Sequence, residues 1–220
     1  SELVRNAIFD FLNAWFVVQG DPERTLQKLY IEDNPHPVGE KENLDYARDG
    51  SEYSSVHKQY HPWFRHFLRE RGYYDIFLFD TDGTLLYTVF KEADYATNLV
   101  TGEWKDTDLG RAFRAARDAP EEQHFFDFRP YGPSHGAPAS FISQAVLTTG
   151  GDLAGVLVFQ MPIDRINDVM QVSTGLGQSG ETYLVGDDFL MRSDSRFLEE
   201  GETSILNTRA ETPTVRKALA

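Results

Sequence analysis

Apolar positions near the start of the chain, Val4, Ile8, Phe11, Trp15 and Val18, recur at alternating steps of four and three. That spacing predicts a helix with one apolar stripe, a pattern that fits packing on its own domain and equally fits a coiled-coil seam. Gly20 should end this helix, and Asp21 with Pro22 should start another, because Asp accepts orphan N–H groups at an N-cap and Pro suits the first helical position. Residues Asn34 to Ser55 show little periodicity and read as a long surface connection. A helix is expected again over Pro62 to Arg71, carrying Trp63, Phe64, Phe67 and Leu68, with Gly72 just past its end. From Tyr73 the period becomes two. Phe77, Phe79, Leu85, Tyr87 and Val89 fall in strands about a Thr81-Asp82-Gly83-Thr84 turn. Asp108 should cap a short helix through Leu109, Ala112, Phe113 and Ala116, and three extended runs follow: Phe125 to Arg129, Ser140 to Leu147 and Leu153 to Met161. Their short connections force antiparallel neighbours, since a parallel crossover needs a dozen or more residues. The expected class is α+β: a long N-terminal helix packed on a five-stranded antiparallel sheet made of a hairpin, a helix and a three-strand meander. A short helix from Asp164 to Met170 and a last helical stub from Val215 to Leu219 complete the prediction.

The hairpin pattern occurs twice. DIFLFDTDGTLLYTVF, from Asp75 to Phe90, and ETYLVGDDFLMRS, from Glu181 to Ser193, align as apolar strand, acidic turn and returning strand. Such repetition suggests a second unit built like the first.

The 220 residues include sixteen Phe and ten Tyr and are 40% hydrophobic, enough for a sizeable core. A net charge of −14 opposes nucleic acid or anionic membrane as a partner. No run approaches the roughly 18 apolar residues that span a bilayer, and no signal peptide is legible. The absence of Cys excludes disulfides and thiolate metal sites.

An enzyme reading competes at the acidic turns. FLFDTDGTLL, Phe77 to Leu86, is similar to the first motif of the haloacid dehalogenase phosphatases, in which Asp80 would be nucleophile and Asp82 acid–base with magnesium. That fold needs parallel strands separated by helices, whereas the run from Phe125 to Met161 offers short turns. Plain hairpin turns explain both acidic segments at once. His57 and His61, four apart with His66 nearby, could hold a metal, but solvated histidines on a helix face are the simpler expectation, and Pro62 should disturb the helix there. Gly175 to Gly180 has dinucleotide-loop spacing but precedes its strand, so a linker turn is expected.

Longer segments carry a further resemblance: LYIEDNPHPVGEK, YHPWFRHFLRERG, GYYDIFLFD, VFKEADYATNLVTG, DLGRAFRAA, FFDFRPYGPSHGAPASFI, GVLVFQMPIDRIN and GLGQSGETYLVGDDFLMRSDSRF. Together they resemble the double-Cache sensor regions of bacterial methyl-accepting chemotaxis receptors over nearly the whole chain. The resemblance implies two PAS-like modules on a long helix, outside the inner membrane in the periplasm. Flanking membrane helices would anchor the parent protein, and the fragment itself would be soluble. It divides the chain into a helical stalk and connection (1–72), a membrane-distal ligand-binding module (73–172) and the start of a membrane-proximal module (173–220) that lacks closing strands. Amino-acid-sensing members carry Arg and Trp after the second strand, where this chain has Lys91-Glu92-Ala93-Asp94-Tyr95. The implied function is binding of a small organic carboxylate or amine, with a homodimer formed through the N-terminal helix and no nucleic-acid partner. The cytoplasmic output could be chemotactic, a histidine kinase or a nucleotide cyclase. No catalytic residue, cofactor or metal is assigned.

In a PAS-like module the long helix covers one face of the sheet and loops cover the other, which leaves a cavity for a ligand under the loops. The candidates are Tyr87 and Phe90 at the second strand's end, Lys91, Asp94, Tyr95 and Asn98 in the following loop, and Arg129, Tyr131, Ser134 and Ser140 near the third and fourth strands. Asp94 suits an amine, and Lys91 or Arg129 suits a carboxylate. Arg129 could instead neutralise Asp127 at the surface, and each aromatic could simply pack.

Overall fold

A computed structural model describes residues 1–199 and 201–220. Helix α1 (Glu2–Phe16) starts at Ser1, whose hydroxyl accepts from the Val4 amide, and buries Val4, Ile8 and Phe11. The predicted stripe therefore packs on the molecule's own sheet, while Trp15 and Val18 are half-buried. A second copy would have to use the helix's other side, where Phe9, Phe16 and Val17 are exposed. Helix α2 (Pro22–Gln27) has the expected Asp21 cap, with the Asp21 carboxylate accepting from the Arg24 amide. It passes directly into a π-helical turn, Lys28–Glu32.

Helix α3 (Glu52–Arg71) corrects the expected interruption at Pro62. It is one element of 20 residues, capped at Ser51 and closed by Gly72 at φ 74°, whose amide donates to the Leu68 carbonyl at 2.7 Å. Pro62 and Lys58, the residue four before it, both lie on the exposed side. Water can replace the missing donor there, so the proline is tolerated. The opposite side buries Tyr53, His57, Tyr60, His61, Phe64 and Leu68. The two histidines are thus fully enclosed rather than solvated.

Strands β1 (Asp75–Phe79), β2 (Leu85–Thr88), β3 (Gln123–Tyr131), β4 (Ala137–Leu147) and β5 (Leu153–Gln160) form one sheet in the order β2-β1-β5-β4-β3. Every pairing is antiparallel. The parallel sheet that a phosphatase reading requires does not form, and the Asp80 carboxylate closes the β1–β2 corner by accepting from the Asp82 and Thr84 amides at 2.9 and 2.8 Å. One face, with Ile76, Leu78, Leu86 and Tyr87, packs under α1 and α3. Gly155 lies where a Cβ would meet the Phe79 carbonyl and Ile8, so its bare backbone lets α1 sit close to the sheet. The other face, with Phe77, Phe79, Phe141, Val156 and Val158, is covered by α4 (Asp108–Asp118). Thr107 rather than Asp108 caps α4, its hydroxyl accepting from the Gly110 amide.

Helix α5 (Ile163–Met170) leads into a sparsely structured segment that ends in α6 (Pro213–Leu219). The second predicted hairpin is reduced to an isolated bridge between Val185 and Met191 and does not join the sheet. Arg192 ties it to the rest, bonding Asp127 at 2.9 Å and Asp188 at 3.0 Å. Asp127 is therefore taken by Arg192, not Arg129. The Gly175 to Gly180 stretch is a turn with no strand before it, as expected of a linker. Among the described residues no helix is long and apolar enough to cross a membrane.

Candidate ligand-binding site

β1 and β4 begin, and β2 and β5 end, at the same edge of the sheet, where Asp75 pairs with Gln160 and Gln160 with Phe141. Asp75 is fully buried. Its carboxylate accepts from the amides of Ile76, Val89 and Phe90 at 2.6, 2.9 and 3.2 Å, and from the Thr88 hydroxyl. It thereby fixes how the chain leaves β2. Burial raises its pKa, and the Thr88 hydrogen bond opposes that rise.

The next residue, Lys91, takes the left-handed conformation at φ 62°. Its ammonium donates to the Thr88 carbonyl and lies 4.5 Å from the Tyr87 ring centre and 5.1 Å from that of Tyr95. Burial lowers its pKa, and the Asp75 carboxylate pulls it back up. Glu92 accepts from the Tyr74 hydroxyl at 2.8 Å and from the Ser134 hydroxyl at 2.5 Å. Asp94 is fully buried; one oxygen accepts from the Tyr131 hydroxyl, and the other, Oδ1, has no partner. Burial first, then repulsion from Glu92 and Asp75, pushes its pKa up to about 8. Asp94 therefore holds its proton to a higher pH than an ordinary carboxyl does.

A cavity of about 320 Å³ opens beside this cluster. Its walls are the Phe90–Ala93 loop, Tyr74, the turn at Pro133, Ser134 and His135, and, from the helical part, Ile31 with Val38 to Lys41. Three distant stretches of chain meet there.

Of the predicted residues, Phe90, Lys91 and Ser134 line the cavity. Asp94 and Tyr131 lie buried near them, joined to each other. Tyr87 and Tyr95 sit deeper, under the helices: the Tyr87 hydroxyl bonds His61 Nδ1 at 2.6 Å, and the Tyr95 hydroxyl donates to Tyr53 at 2.8 Å. Asn98 is elsewhere. It braces the β1–β2 corner, donating to the Asp82 carbonyl at 3.1 Å and accepting from the Val100 and Thr101 amides. Arg129 is exposed on β3, 3.7 Å from Asp108. Ser140 is buried with an unpartnered hydroxyl, and strand alternation puts it on the sheet face opposite Phe141.

Sequence reading missed Tyr74, Glu92, His135 and Lys41 in the walls and Asp75 behind them. An acid ending a polar run before a strand reads as a boundary. Only the convergence of the Val89 and Phe90 amides on Asp75 reveals its role. Glu92 lies in the run that supplied the candidates Lys91, Asp94 and Tyr95.

No protein-family model matches the chain, and no curated protein does. Several solved structures are similar. An extracellular ligand-binding receptor from Desulfohalobium retbaense is 12% identical with a TM-score of 0.47, over 90% of this chain and 33% of that one. The chain thus spans about a third of that receptor. The ligand-binding domain of the Pseudomonas aeruginosa amino acid chemoreceptor PctC, in complex with GABA, is 18% identical with a TM-score of 0.45, over 84% and 73%. The corresponding domain of the Campylobacter jejuni chemoreceptor Tlp3, in complex with L-valine, is 14% identical with a TM-score of 0.44, over 87% and 71%.

Proposed function

We propose that the chain is an extracytoplasmic sensor module that binds a small polar organic molecule in the cavity beside Phe90–Ala93. The supporting observation is the buried, unpartnered Asp94 Oδ1 close to a cavity walled by both the sheet's loops and the helical layer. A buried polar atom without a partner is costly, and a ligand group hydrogen-bonded to it would relieve that cost. Because Ile31 and Lys41 belong to the helical part, an occupied cavity would bias how that part sits on the sheet. That is a population shift driven by differential affinity.

Within this reading, residues 73–172 are the membrane-distal module of a double-Cache chemoreceptor region and 173–220 begin the proximal one. The parent is a membrane-anchored, homodimeric receptor of the periplasm. A histidine kinase or nucleotide cyclase would serve equally as output. Lys91 is already engaged by Thr88 and two tyrosine rings. Asp94 Oδ1 is unpartnered and Glu92 accepts only from hydroxyls, so this end of the cavity carries two carboxyl groups and favours an amine over a simple carboxylate.

A thermal-shift screen of amines, amino acids and organic acids tests this. A ligand at a hundredfold its dissociation constant should stabilise the chain by about 2.7 kcal/mol, and Asp94→Asn or Glu92→Gln should weaken the hit at least tenfold. Hits insensitive to both substitutions would place binding elsewhere.

A further inference from the structure

His57 and His61 lie one turn apart on α3 with ring centres 4.3 Å apart. Each bonds a backbone carbonyl of the strap formed by residues 42–47: His57 Nδ1 meets Asp45 O at 2.8 Å, and His61 Nε2 meets Glu42 O at 2.6 Å. A carbonyl only accepts, so both of these nitrogens carry hydrogen. Two stacked rings buried beside Lys91 and Arg65 are held neutral, so the remaining nitrogens are bare. His61 Nδ1 accepts from the Tyr87 hydroxyl at 2.6 Å, and His57 Nε2 is buried with no partner. The two neutral rings are therefore in opposite tautomers.

The strap continues directly into Val38 to Lys41, a wall of the cavity. Lys41 is held in turn by Asn34, which donates to the Lys41 carbonyl at 3.0 Å. On the other side, Tyr87 leads to Lys91 and the loop that forms the facing wall.

The surroundings offer little to balance a further charge. α1 presents Phe11, the π-helical turn presents Tyr30, α3 adds Tyr53, and β2 contributes Tyr87. The loop after β2 brings Lys91 and Tyr95, and α3 itself brings Arg65 and Arg69. From the strap, the Asp45 carboxylate is paired with Arg65 at 2.7 Å and that of Glu42 with Arg69 at 3.1 Å, although Glu42 Oε2 is buried and free. Burial, together with Lys91 and the arginines, holds both imidazoles well below the ordinary histidine range.

We propose that His57 and His61 form a latch that frees the 42–47 strap, and with it the Val38–Lys41 wall of the cavity, when acid protonates either ring. The inference rests on reading that cavity as the ligand site and assigns its regulation. A proton on His57 Nε2 creates an imidazolium with no acceptor. Swinging that ring to solvent breaks its bond to the Asp45 carbonyl. A proton on His61 Nδ1 ends its acceptance from Tyr87, and expulsion of that ring removes one of the two donors to the Glu42 carbonyl, leaving Arg65 Nη1 at 2.6 Å as its remaining hold.

The test is nitrogen-15 NMR of the chain without added ligand. Near pH 7 the imidazole shifts should report Nδ1–H for His57 and Nε2–H for His61. As pH falls below the ordinary histidine range, the amide signals of Asn43 to Ala47 should leave their neutral positions together with ring protonation, while those of α4 stay put. The double variant His57→Asn, His61→Gln keeps an N–H near each donating nitrogen and cannot titrate, so its strap signals should hold still over that range. Rings that titrate near the usual histidine value under a static strap would overturn the latch. So would an undiminished pH step in the double variant. If that variant fails to fold, the ring and strap titrations of the unaltered chain decide the matter alone. Because no ligand is present, a failed ligand screen would sink the cavity reading and leave this result standing.

Discussion

Two buried polar clusters lie within one sheet's width of each other and are finished to different degrees. Under α1 and α3, Tyr30 donates to Ser54 at 2.9 Å, Tyr95 to Tyr53 at 2.8 Å, Tyr53 to the Leu86 carbonyl at 2.6 Å and Tyr87 to His61 at 2.6 Å. Among these rings one atom, His57 Nε2, lacks a partner, and so does Glu42 Oε2 in the strap bonded to His61. At the cavity end, Asp94 Oδ1, Ser140 Oγ and Gln160 Oε1 are all buried and unpartnered. A satisfied network specifies one packing, whereas unpaired atoms store cost that something else can relieve. The first cluster thus reads as scaffold and the second as a place for a ligand.

The sharpest break in this contrast is His61→Ala. It removes a fully buried ring, leaves the Tyr87 hydroxyl without its partner and the Glu42 carbonyl with Arg65 alone, and opens a void. Large-to-small changes of this kind cost about 3 kcal/mol or more. Urea denaturation should show that loss with an unchanged slope. A loss below about 1 kcal/mol would mean that this cluster is not scaffold.

Asp94→Asn acts in the opposite direction. Asp94 has its pKa raised to about 8, against an ordinary value near 3.8. The unfolded chain therefore releases its proton first as pH rises. The stability contributed by the protonated acid is complete below about pH 4 and is lost progressively up to about pH 8. Asn carries no such proton. The variant should match the parent near pH 4 and exceed it near pH 8, by about 2 kcal/mol, the scale of a buried unsatisfied group. Equal stability of the two at both pH values would show that Asp94 ionises freely and is not held as a neutral acid.

Tyr53→Phe comes next in size. It deletes the hydroxyl that links Tyr95 to the Leu86 carbonyl, and should cost about 1 to 2 kcal/mol at every pH near neutrality. Its flat pH response is the useful contrast with Asp94→Asn.

How far the sequence foretold these clusters follows from the range of the interactions. The strands, the Asp80 corner and α4 were legible because period-two alternation and turn chemistry are local. Pro62 misled because the local rule against proline in a helix gave way to a helix anchored by Tyr53, His57, Phe64 and Leu68. The same anchoring turned two apparently solvated histidines into core residues. The echo of the first hairpin at Glu181 to Ser193 was real as a pattern. β1, however, gains a full strand partner in β5, whereas the echo pairs only through isolated bridges, Val185 with Met191 and Leu190 with Arg209. At the cavity, Phe90, Lys91 and Ser134 were legible as loop positions. Ile31 and Lys41 were not, because they reach the cavity across some fifty residues of intervening chain.

Ser140→Ala gives the smallest effect and discriminates between the two kinds of polar group. In the unliganded chain the Ser140 hydroxyl is fully buried with no partner, so its removal should raise stability by about 0.5 kcal/mol, the desolvation cost offset by the lost packing of one atom. The sign is the informative part. A ligand that donates to or accepts from this hydroxyl would reverse it. The variant would then be more stable than the parent alone and less stable than the parent in saturating amounts of a screened compound. Ser140 faces away from Phe141, across the sheet from the Tyr131–Asp94 pair. The expectation is therefore that the gain persists with compound present, which would confine recognition to the Asp94 side. Reversal by the compound would extend the site through the sheet's edge to both faces.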